Sequence, residues 1–176
     1  LKKSHPDYIL MGERNESKMP GFDFGNSPTH IQEENFYEKT LIHTTSAGTQ
    51  GLVNAKNADE ILTGSFVNAG AITRYIRKAN PQVVSLVCMG YSALFPIEED
   101  TFCAEYITNE LEGKNNDFEG MKATLRTGSG TRFFEPEKQS NSPSSDFELC
   151  LDLNRFSFVV RALKEVEGLV LKRFDI

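Results

Sequence analysis

The sequence has no tryptophan, only three cysteines and three histidines, and fewer basic than acidic side chains. Cys88, Cys103 and Cys150 are too few and too widely spaced for a disulfide framework or a zinc site, which favours a reducing, cytoplasmic location. The net charge of −6 argues against nucleic acid as a partner, so any anion-binding site has to be local. No apolar run approaches the roughly 20 residues of a membrane span, and no membrane partner is expected.

Short apolar runs alternate with helical patterns along most of the chain. Strands are predicted at 8–11, 40–43, 60–64, 83–88 and 169–173, and helices at 27–37, 49–57, 69–78, 97–111 and 118–125. The continuous apolar run 83–88 is typical of a strand covered on both faces, whereas the Gly-, Ser- and Pro-rich stretch 127–145 indicates a mobile surface segment. The alternation predicts an α/β fold, a three-layer α/β/α sandwich with a mainly parallel or mixed sheet.

Three predicted strand-to-helix connections, 12–27, 44–49 and 64–68, carry small and polar side chains. Each leads into a helix start, where free N–H groups favour negative charge. Parallel strands would bring all three connections to one sheet edge, so an anionic ligand is expected there. The alternative is ordinary capping by the polar residue that opens each helix, namely Ser27, Thr49 and Asn68.

Arg14 and the run Thr44-Thr45-Ser46-Ala47-Gly48-Thr49 are the clearest candidates for anion binding. Arg14 follows an apolar strand and could clamp a phosphate or sulfonate bidentately, or else form a surface salt bridge with Glu13 or Glu16. The run offers several hydroxyl groups and a glycine that lets the backbone approach a ligand. His43, which precedes it, is interpreted as structural.

Carboxylates occur in two places that suit a hard cation. Asp23 lies in a glycine-rich loop, where the alternative is an Asx turn. Glu98-Glu99-Asp100 opens a helix, and acids there interact with the helix dipole, which is the interpretation preferred for Glu98. Glu99 or Asp100 could instead join Asp23 and hold a cation through oxygen atoms.

Several motifs follow one another along the chain: Gly12-Glu13-Arg14, 21–28, 44–49, 64–69, Cys88-Met89-Gly90, 98–100, Cys103-Ala104, Asp146 and Cys150. This ordered set resembles the 2-phosphosulfolactate phosphatase family, known as ComB. The resemblance implies an α/β/α fold and a Mg²⁺-dependent hydrolase that removes phosphate from 2-phospho-3-sulfolactate, giving sulfolactate for coenzyme M biosynthesis. The family's usual opening, a strand and a turn bearing Asp, Arg and several Thr, has no counterpart here. We therefore expect one ComB-like phosphatase domain at 1–176 that begins late relative to the family.

On this resemblance, Asp23 with Glu99 or Asp100 is expected to hold Mg²⁺, and Glu13, Arg14 and Asp23 are the catalytic candidates. Either Glu13 or Asp23 would act as general base toward water. Two alternatives stay open: a catalytically inactive ComB-like remnant or binding protein, and a phosphatase for another small phosphorylated acid. A homodimer is one assembly that the sequence leaves open. The residues expected to contact the substrate are Asn26, Ser27, Thr44, Thr45, Ser46, Gly48, Thr49 and Asn68.

Overall fold

The first sheet lies in the amino-terminal part of the computed structural model, which describes residues 1–166 and 168–176. Strand β1 (Ile9–Arg14) lies between β2 (Ser17–Lys18), which is antiparallel to it, and β3 (Leu41–Thr44), which is parallel. Gly12 lies opposite Thr44, and a Cβ atom at Gly12 would overlap the Thr44 carbonyl oxygen, so the close approach requires glycine. Because β1 and β3 run in the same direction, the residues that follow them lie at one edge of the sheet.

The second sheet contains the carboxyl-terminal hairpin. Strand β5 (Phe158–Glu165) lies between β4 (Leu62–Thr63) and β6 (Gly168–Asp175), and both pairings are antiparallel. The α/β class is confirmed, but the strands are divided between a mixed sheet and an antiparallel one. The reason is that β6 follows β5 closely, and a short connection permits only antiparallel pairing. The three-layer arrangement stays a prediction.

The division into two sheets bears on the prediction that the connections 12–27, 44–49 and 64–68 lie at one sheet edge. Those after β1 and β3 leave from the same edge, as predicted, because these strands are parallel neighbours. The connection 64–68 follows β4, which belongs to the other sheet and pairs with β5. The prediction that all three share one edge is therefore wrong for 64–68.

Two short helices begin beyond the edge of the first sheet. Helix α1 (Pro28–Ile31) follows the loop after β1, and α2 (Gly48–Asn54) follows β3. The predicted helix over 27–37 ends after about one turn because α1 has no buried residue and so lacks an apolar face to hold it against the fold. Helix α2 agrees with the prediction over 49–57 within the usual variation at helix ends.

The main core lies between the second sheet and the later helices. These are α3 (Ala69–Ala79), α4 (Glu98–Glu112), α5 (Phe118–Thr127) and α6 (Ser144–Cys150), and the first three match predicted helices. None of the described helices is long and apolar enough to cross a membrane. The cluster of buried side chains includes Phe66, Ile72, Ile107, Leu125, Phe147 and Val159.

The apolar run 83–88 is not a strand in the structure, contrary to the prediction. It is paired with no strand of the described residues, and Val83 and Val87 are 79% and 74% exposed. Leu86 packs against the core, and the Cys88 thiol donates a hydrogen bond to the Asp100 carbonyl oxygen at 3.4 Å. An apolar run predicts a covered strand only where both faces have a partner, and here only the inner face has one.

Replacing Val87 with alanine should change the free energy of unfolding by less than about 0.5 kcal/mol, because the side chain is mostly exposed. The matched core variant is Ile72→Ala, since Ile72 is only 3% exposed. That change should cost about 2–5 kcal/mol through lost burial and the cavity left behind. Urea denaturation measures both values. A loss above about 2 kcal/mol from Val87→Ala would show that the run is covered, as the sequence predicted.

The stretch 127–145 contains two short 3₁₀ turns, Ser129–Phe134 and Pro136–Lys138, between α5 and α6. Gly130 is buried, and a Cβ atom there would crowd the Phe147 ring. Ser142 is also buried. The interpretation as a surface segment is therefore wrong at these positions, because the small residues allow close packing against α5 and α6 rather than only chain flexibility.

Candidate active site

An open cleft of about 650 Å³ lies at the edge where β1 and β3 end. Its walls come from the turn after β1, the loop before α1, the start of α2, the start of α4 and the segment around Arg132. Residues far apart in sequence thus share one polar surface. The predicted site residues that line it are Glu13, Asp23, Asn26, Ser27, Thr45, Ser46, Gly48, Glu99 and Asp100.

Arg14, Thr44, Thr49 and Asn68 do not line the cleft, unlike the other predicted site residues. Successive residues of a strand face opposite sides, so with Glu13 in the cleft wall Arg14 is directed elsewhere. The Arg14 guanidinium donates to the Thr45 carbonyl oxygen at 3.3 Å and to Thr44 Oγ1 at 3.4 Å. The structure therefore gives Arg14 a role in joining the ends of β1 and β3.

Thr49 and Asn68 make local hydrogen bonds to residues just before them, and neither side chain caps the helix it was predicted to open. The Thr49 N–H donates to Thr45 Oγ1 at 3.2 Å, and the Thr49 hydroxyl donates to the Thr45 carbonyl oxygen at 3.3 Å. Asn68 is 5% exposed, and its Oδ1 accepts hydrogen bonds from the N–H and hydroxyl of Ser65, both at 3.1 Å. The capping alternative is therefore wrong for the side chains of both residues. Asn68 instead closes a capping box with Ser65 on the 3₁₀ turn Phe66–Asn68, which follows β4 of the second sheet.

Glu13 holds the polar loop after β3 in place. Its Oε1 accepts a hydrogen bond from the Ser46 N–H at 2.6 Å, and its Oε2 accepts from the Ser46 hydroxyl at 2.9 Å and the Glu16 N–H at 3.1 Å. Both carboxylate oxygens are thus engaged, and so are both donors of Ser46. The geometry makes Glu13 a positioning residue that ties the loop after β3 to the end of β1.

Asp146, on α6, anchors the beginning of α1. It is 3% exposed, and its Oδ1 accepts hydrogen bonds from the Ser27 hydroxyl at 2.9 Å, the Thr29 N–H at 2.9 Å and the Thr29 hydroxyl at 2.5 Å. Ser27 makes no side-chain cap of its own helix. Asp146, more than a hundred positions away in sequence, therefore accepts the Thr29 N–H at the start of α1 that a capping Ser27 would have accepted.

The three acids at the start of α4 contact three different parts of the cleft region. Glu98 Oε2 accepts a hydrogen bond from the Ser129 N–H at 2.9 Å, and Asp100 Oδ2 accepts one from the Gly90 N–H at 2.7 Å. Glu99 Oε1 lies 3.4 Å from the Arg132 guanidinium. Glu98 does not line the cleft, whereas Glu99 and Asp100 do.

The predicted metal ligands share the cleft without forming a dense cluster. Within residues 1–166 and 168–176, no group of three or more His, Cys, Asp or Glu side chains is arranged to hold a metal ion. Asp23 Oδ2 accepts a hydrogen bond from the Leu10 N–H at 2.8 Å. Glu99 Oε2, in contrast, is buried with no hydrogen-bond partner among the described residues. Mg²⁺ commonly uses one or two carboxylates plus water and phosphate oxygens, so Glu99 fits such an ion.

Comparison with known families shows the family to which the chain belongs. The profile of the family described as 2-phosphosulpholactate phosphatase matches residues 1–165. The chain belongs to the 2-phosphosulfolactate phosphatase family. The resemblance seen in the sequence motifs is thereby confirmed, and the polar edge of the first sheet becomes the candidate active site of a phosphatase-family chain.

Several similar proteins are named as probable 2-phosphosulfolactate phosphatases. The probable 2-phosphosulfolactate phosphatase of Bacillus subtilis strain 168 is 29% identical over 177 residues, which cover 98% of this chain and 75% of the relative. Those of Gloeobacter violaceus and Clostridium acetobutylicum are 37% and 40% identical over 111 and 109 residues, or 63% and 62% of this chain. The chain spans about half the length of these last two, 47% and 46%.

Arg132 is one of several cleft residues that sequence reasoning missed, and it is the arginine among them. It lies in the stretch interpreted as a mobile surface segment, yet it lines the cleft and contacts Glu99. Its guanidinium also lies 4.9 Å from the Phe133 ring centroid. The only sequence signal was an Arg followed by two aromatic residues in a glycine-containing turn. Such a signal gains meaning only when the turn is folded against α4.

The cysteine in the cleft is not an activated nucleophile. Desolvation, with the nearby charge of Asp146, raises the pKa of Cys150 to about 11. Burial likewise raises the pKa of Cys103 to about 12. Because the thiolate is the reactive form, both residues are unreactive thiols near neutral pH.

The lowered pKa of His43 should reduce the free energy of unfolding as the solution becomes mildly acidic. Desolvation lowers the pKa of His43 and outweighs the opposing effect of Glu13, while its Nε2 lies 3.1 Å from Asn26 Oδ1. Below the unfolded value of about 6.5, the unfolded chain binds more protons, so stability falls as the pH falls toward the folded pKa. Wild type should therefore lose more free energy of unfolding than His43→Asn between about pH 7.5 and 5.5, measured by urea denaturation. Equal losses would contradict the pKa shift.

Proposed function

We propose that this chain is a Mg²⁺-dependent phosphatase that hydrolyses 2-phosphosulfolactate to sulfolactate and phosphate, in the route to coenzyme M. The proposal rests mainly on one observation. The loops after β1 and β3 line a single cleft together with Glu99 and Arg132, and the family match covers residues 1–165 of this chain. The names of the relatives supply the substrate. An ester phosphate fits a polar cleft that offers both carboxylates and an arginine.

In this proposal Asp23 acts as the general base toward the attacking water. It lines the cleft, and its contact with the Leu10 N–H fixes the carboxylate beside β1. Glu13 is the weaker candidate because Ser46 and Glu16 engage both of its oxygens. A positioned base typically contributes a factor of about 10²–10⁴ to the rate. Thr45 also lies in the cleft wall, and in this proposal its hydroxyl donates a hydrogen bond to the substrate while its oxygen keeps the hydrogen bond from the Thr49 N–H.

Charge balance in the cleft supports the requirement for a divalent cation. Phosphosulfolactate carries phosphate, carboxylate and sulfonate groups, and a cleft with excess negative charge would repel it. Mg²⁺ on Glu99 would offset the excess and stabilise the charge that develops on the phosphate oxygens. The lining residues are the acids Glu13, Glu16, Asp23, Glu99, Asp100 and Asp146 against the permanent cations Lys18 and Arg132.

Phosphate release by the full chain tests the proposal. With 2-phosphosulfolactate and Mg²⁺, release should be steady and should stop on addition of EDTA. Glu99→Gln should lose the stimulation by Mg²⁺, while Glu105→Gln, an exposed residue of the same helix, should keep it. No release from either 2-phosphosulfolactate or an aryl phosphate would reject the enzyme and favour the catalytically inactive, binding alternative.

A phosphatase for another small phosphorylated acid is a second candidate, favoured by the same excess of carboxylates in the cleft. A substrate without the sulfonate would meet less repulsion there. The matched probe is 2-phospholactate, in which a methyl group replaces the sulfonated carbon. A kcat/KM for 2-phospholactate above that for 2-phosphosulfolactate would identify this candidate as the correct one, and the reverse order would remove it.

A further inference from the structure

Arg132 lies in the cleft wall, and its guanidinium has N–H groups that can donate to a further acceptor. Its side chain is 27% exposed, and its guanidinium lies 3.4 Å from Glu99 and 3.8 Å from Glu16. Charge-assisted N–H···O contacts are normally about 2.7–2.9 Å long, so both pairings are loose. By comparison, Arg155 lies 2.9 Å from Asp152 at a site outside the cleft. A guanidinium offers five N–H donors, and these two carboxylates leave it able to take a further acceptor.

The turn that carries Arg132 is fixed rather than free. Glu98 holds the Ser129 N–H at 2.9 Å, and Gln139 Nε2 donates to the Phe133 carbonyl oxygen at 2.8 Å. The Phe133 ring supports the guanidinium from one side at 4.9 Å. An arginine whose backbone and stem are already placed loses less conformational entropy when it binds a ligand.

We infer that Arg132 is the residue that recognises an oxyanion of the ligand in this cleft, in the role that the sequence suggested for Arg14. The planar fork matches two oxygens of a phosphate or sulfonate, which replace the loose contacts with Glu99 and Glu16. This inference rests on the proposed function for the identity of the ligand. The two carboxylates hold Arg132 in the empty cleft and compete with the incoming anion, so removing one of them should strengthen anion binding.

Binding of simple anions tests the inference without relying on turnover. Calorimetric titration of the full chain, with Mg²⁺ present, uses inorganic phosphate in one arm and sulfoacetate in the other. Arg132→Gln should weaken binding of at least one anion by about 10–100-fold, since hydrogen bonds to charged groups are worth roughly 1.5–3 kcal/mol. The arm with the larger loss identifies the oxyanion, phosphate or sulfonate, that Arg132 contacts. Arg132→Lys, which keeps the charge but not the fork, should recover part of the loss.

Two further variants separate anion recognition from a general effect on charge or folding. Glu16→Gln should tighten binding about threefold, because a modest gain of under 1 kcal/mol is typical for removing a partly exposed competing charge. Arg155→Gln removes the same charge from an arginine that also has an aspartate and an aromatic ring beside it, and should leave binding unchanged. Thermal unfolding of each variant confirms that it is folded.

Unchanged affinity in Arg132→Gln, or weaker affinity in Glu16→Gln, would overturn the inference. So would a wild-type chain that binds neither anion. If binding depends on Arg132 but the chain releases no phosphate from any ester, the inference stands and the proposed phosphatase activity fails. If the chain hydrolyses 2-phosphosulfolactate while Arg132→Gln keeps full anion affinity and an unchanged KM, the activity stands and the assignment of Arg132 fails.

Discussion

Replacing Asp146 with alanine is expected to lower the free energy of unfolding by about 3 kcal/mol. The substitution leaves the Ser27 hydroxyl and the N–H and hydroxyl of Thr29 without their acceptor, at a site where Asp146 is 3% exposed. An unsatisfied buried donor costs about 1–3 kcal/mol, and the costs within one network are not additive. Urea denaturation with a linear extrapolation measures the change.

The control for Asp146→Ala lies six residues further along the chain, beyond the end of α6. Asp152 is an exposed acid that pairs with Arg155 three residues later. Asp152→Ala should cost less than about 1 kcal/mol, as is usual for exposed ion pairs. Asp146→Asn keeps one side-chain oxygen and should fall between the two. Equal losses for Asp146→Ala and Asp152→Ala would contradict the assignment of Asp146 as the anchor of α1.

Replacing Glu13 with glutamine is expected to lower kcat/KM by about 100-fold, because small misplacements of a site wall can cost that much. Glutamine has the shape of glutamate and keeps one oxygen for the Ser46 N–H, but its amide nitrogen cannot accept the Glu16 N–H or the Ser46 hydroxyl hydrogen, and the loss of charge weakens the contact that remains. The loop after β3, which places Thr45 in the cleft wall, would then be held less tightly. Steady-state phosphate release measures the effect, with the exposed Glu34→Gln as the matched control.

A double-mutant cycle shows whether Glu13 acts through Ser46. Ser46→Ala should also reduce kcat/KM, and the double variant should be little worse than Glu13→Gln alone, because both changes remove the same contact. Losses that multiply would mean that the two residues act independently. A Glu13→Gln variant within twofold of wild type would show that the loop holds its position without the carboxylate.

Much of the fold follows from local patterns. Helix α4 carries an apolar stripe and ends at Gly113, whose φ of 71° suits the left-handed end of a helix, and both features are readable in the sequence. Strands β1 and β3 were predicted because each apolar run stops at a polar loop. The prediction of a strand at 83–88 was wrong because an apolar run can be buried but need not be. Only the folded structure shows whether another element covers the run.

The candidate site was harder to predict because its key contacts join distant segments. Glu13 and Ser46 lie near each other once β1 and β3 are known to be parallel neighbours, and the sequence did predict that meeting. Asp146 and Arg132 come from α6 and the turn after α5, and no local rule links them to the first sheet. Strand alternation would have placed Glu13 and Arg14 on opposite faces, had the orientation of β1 been known.

A crystal structure of the full chain with Mg²⁺, inorganic phosphate and sulfolactate tests the central claim most directly. We predict phosphate in the cleft at the edge of the first sheet, with its oxygens within hydrogen-bond distance of Arg132 and the ion beside Glu99. Thr45 and Asp23 should face the bound phosphate. Phosphate and Mg²⁺ bound together elsewhere on the chain, or a cleft without either at concentrations that saturate turnover, would contradict the claim.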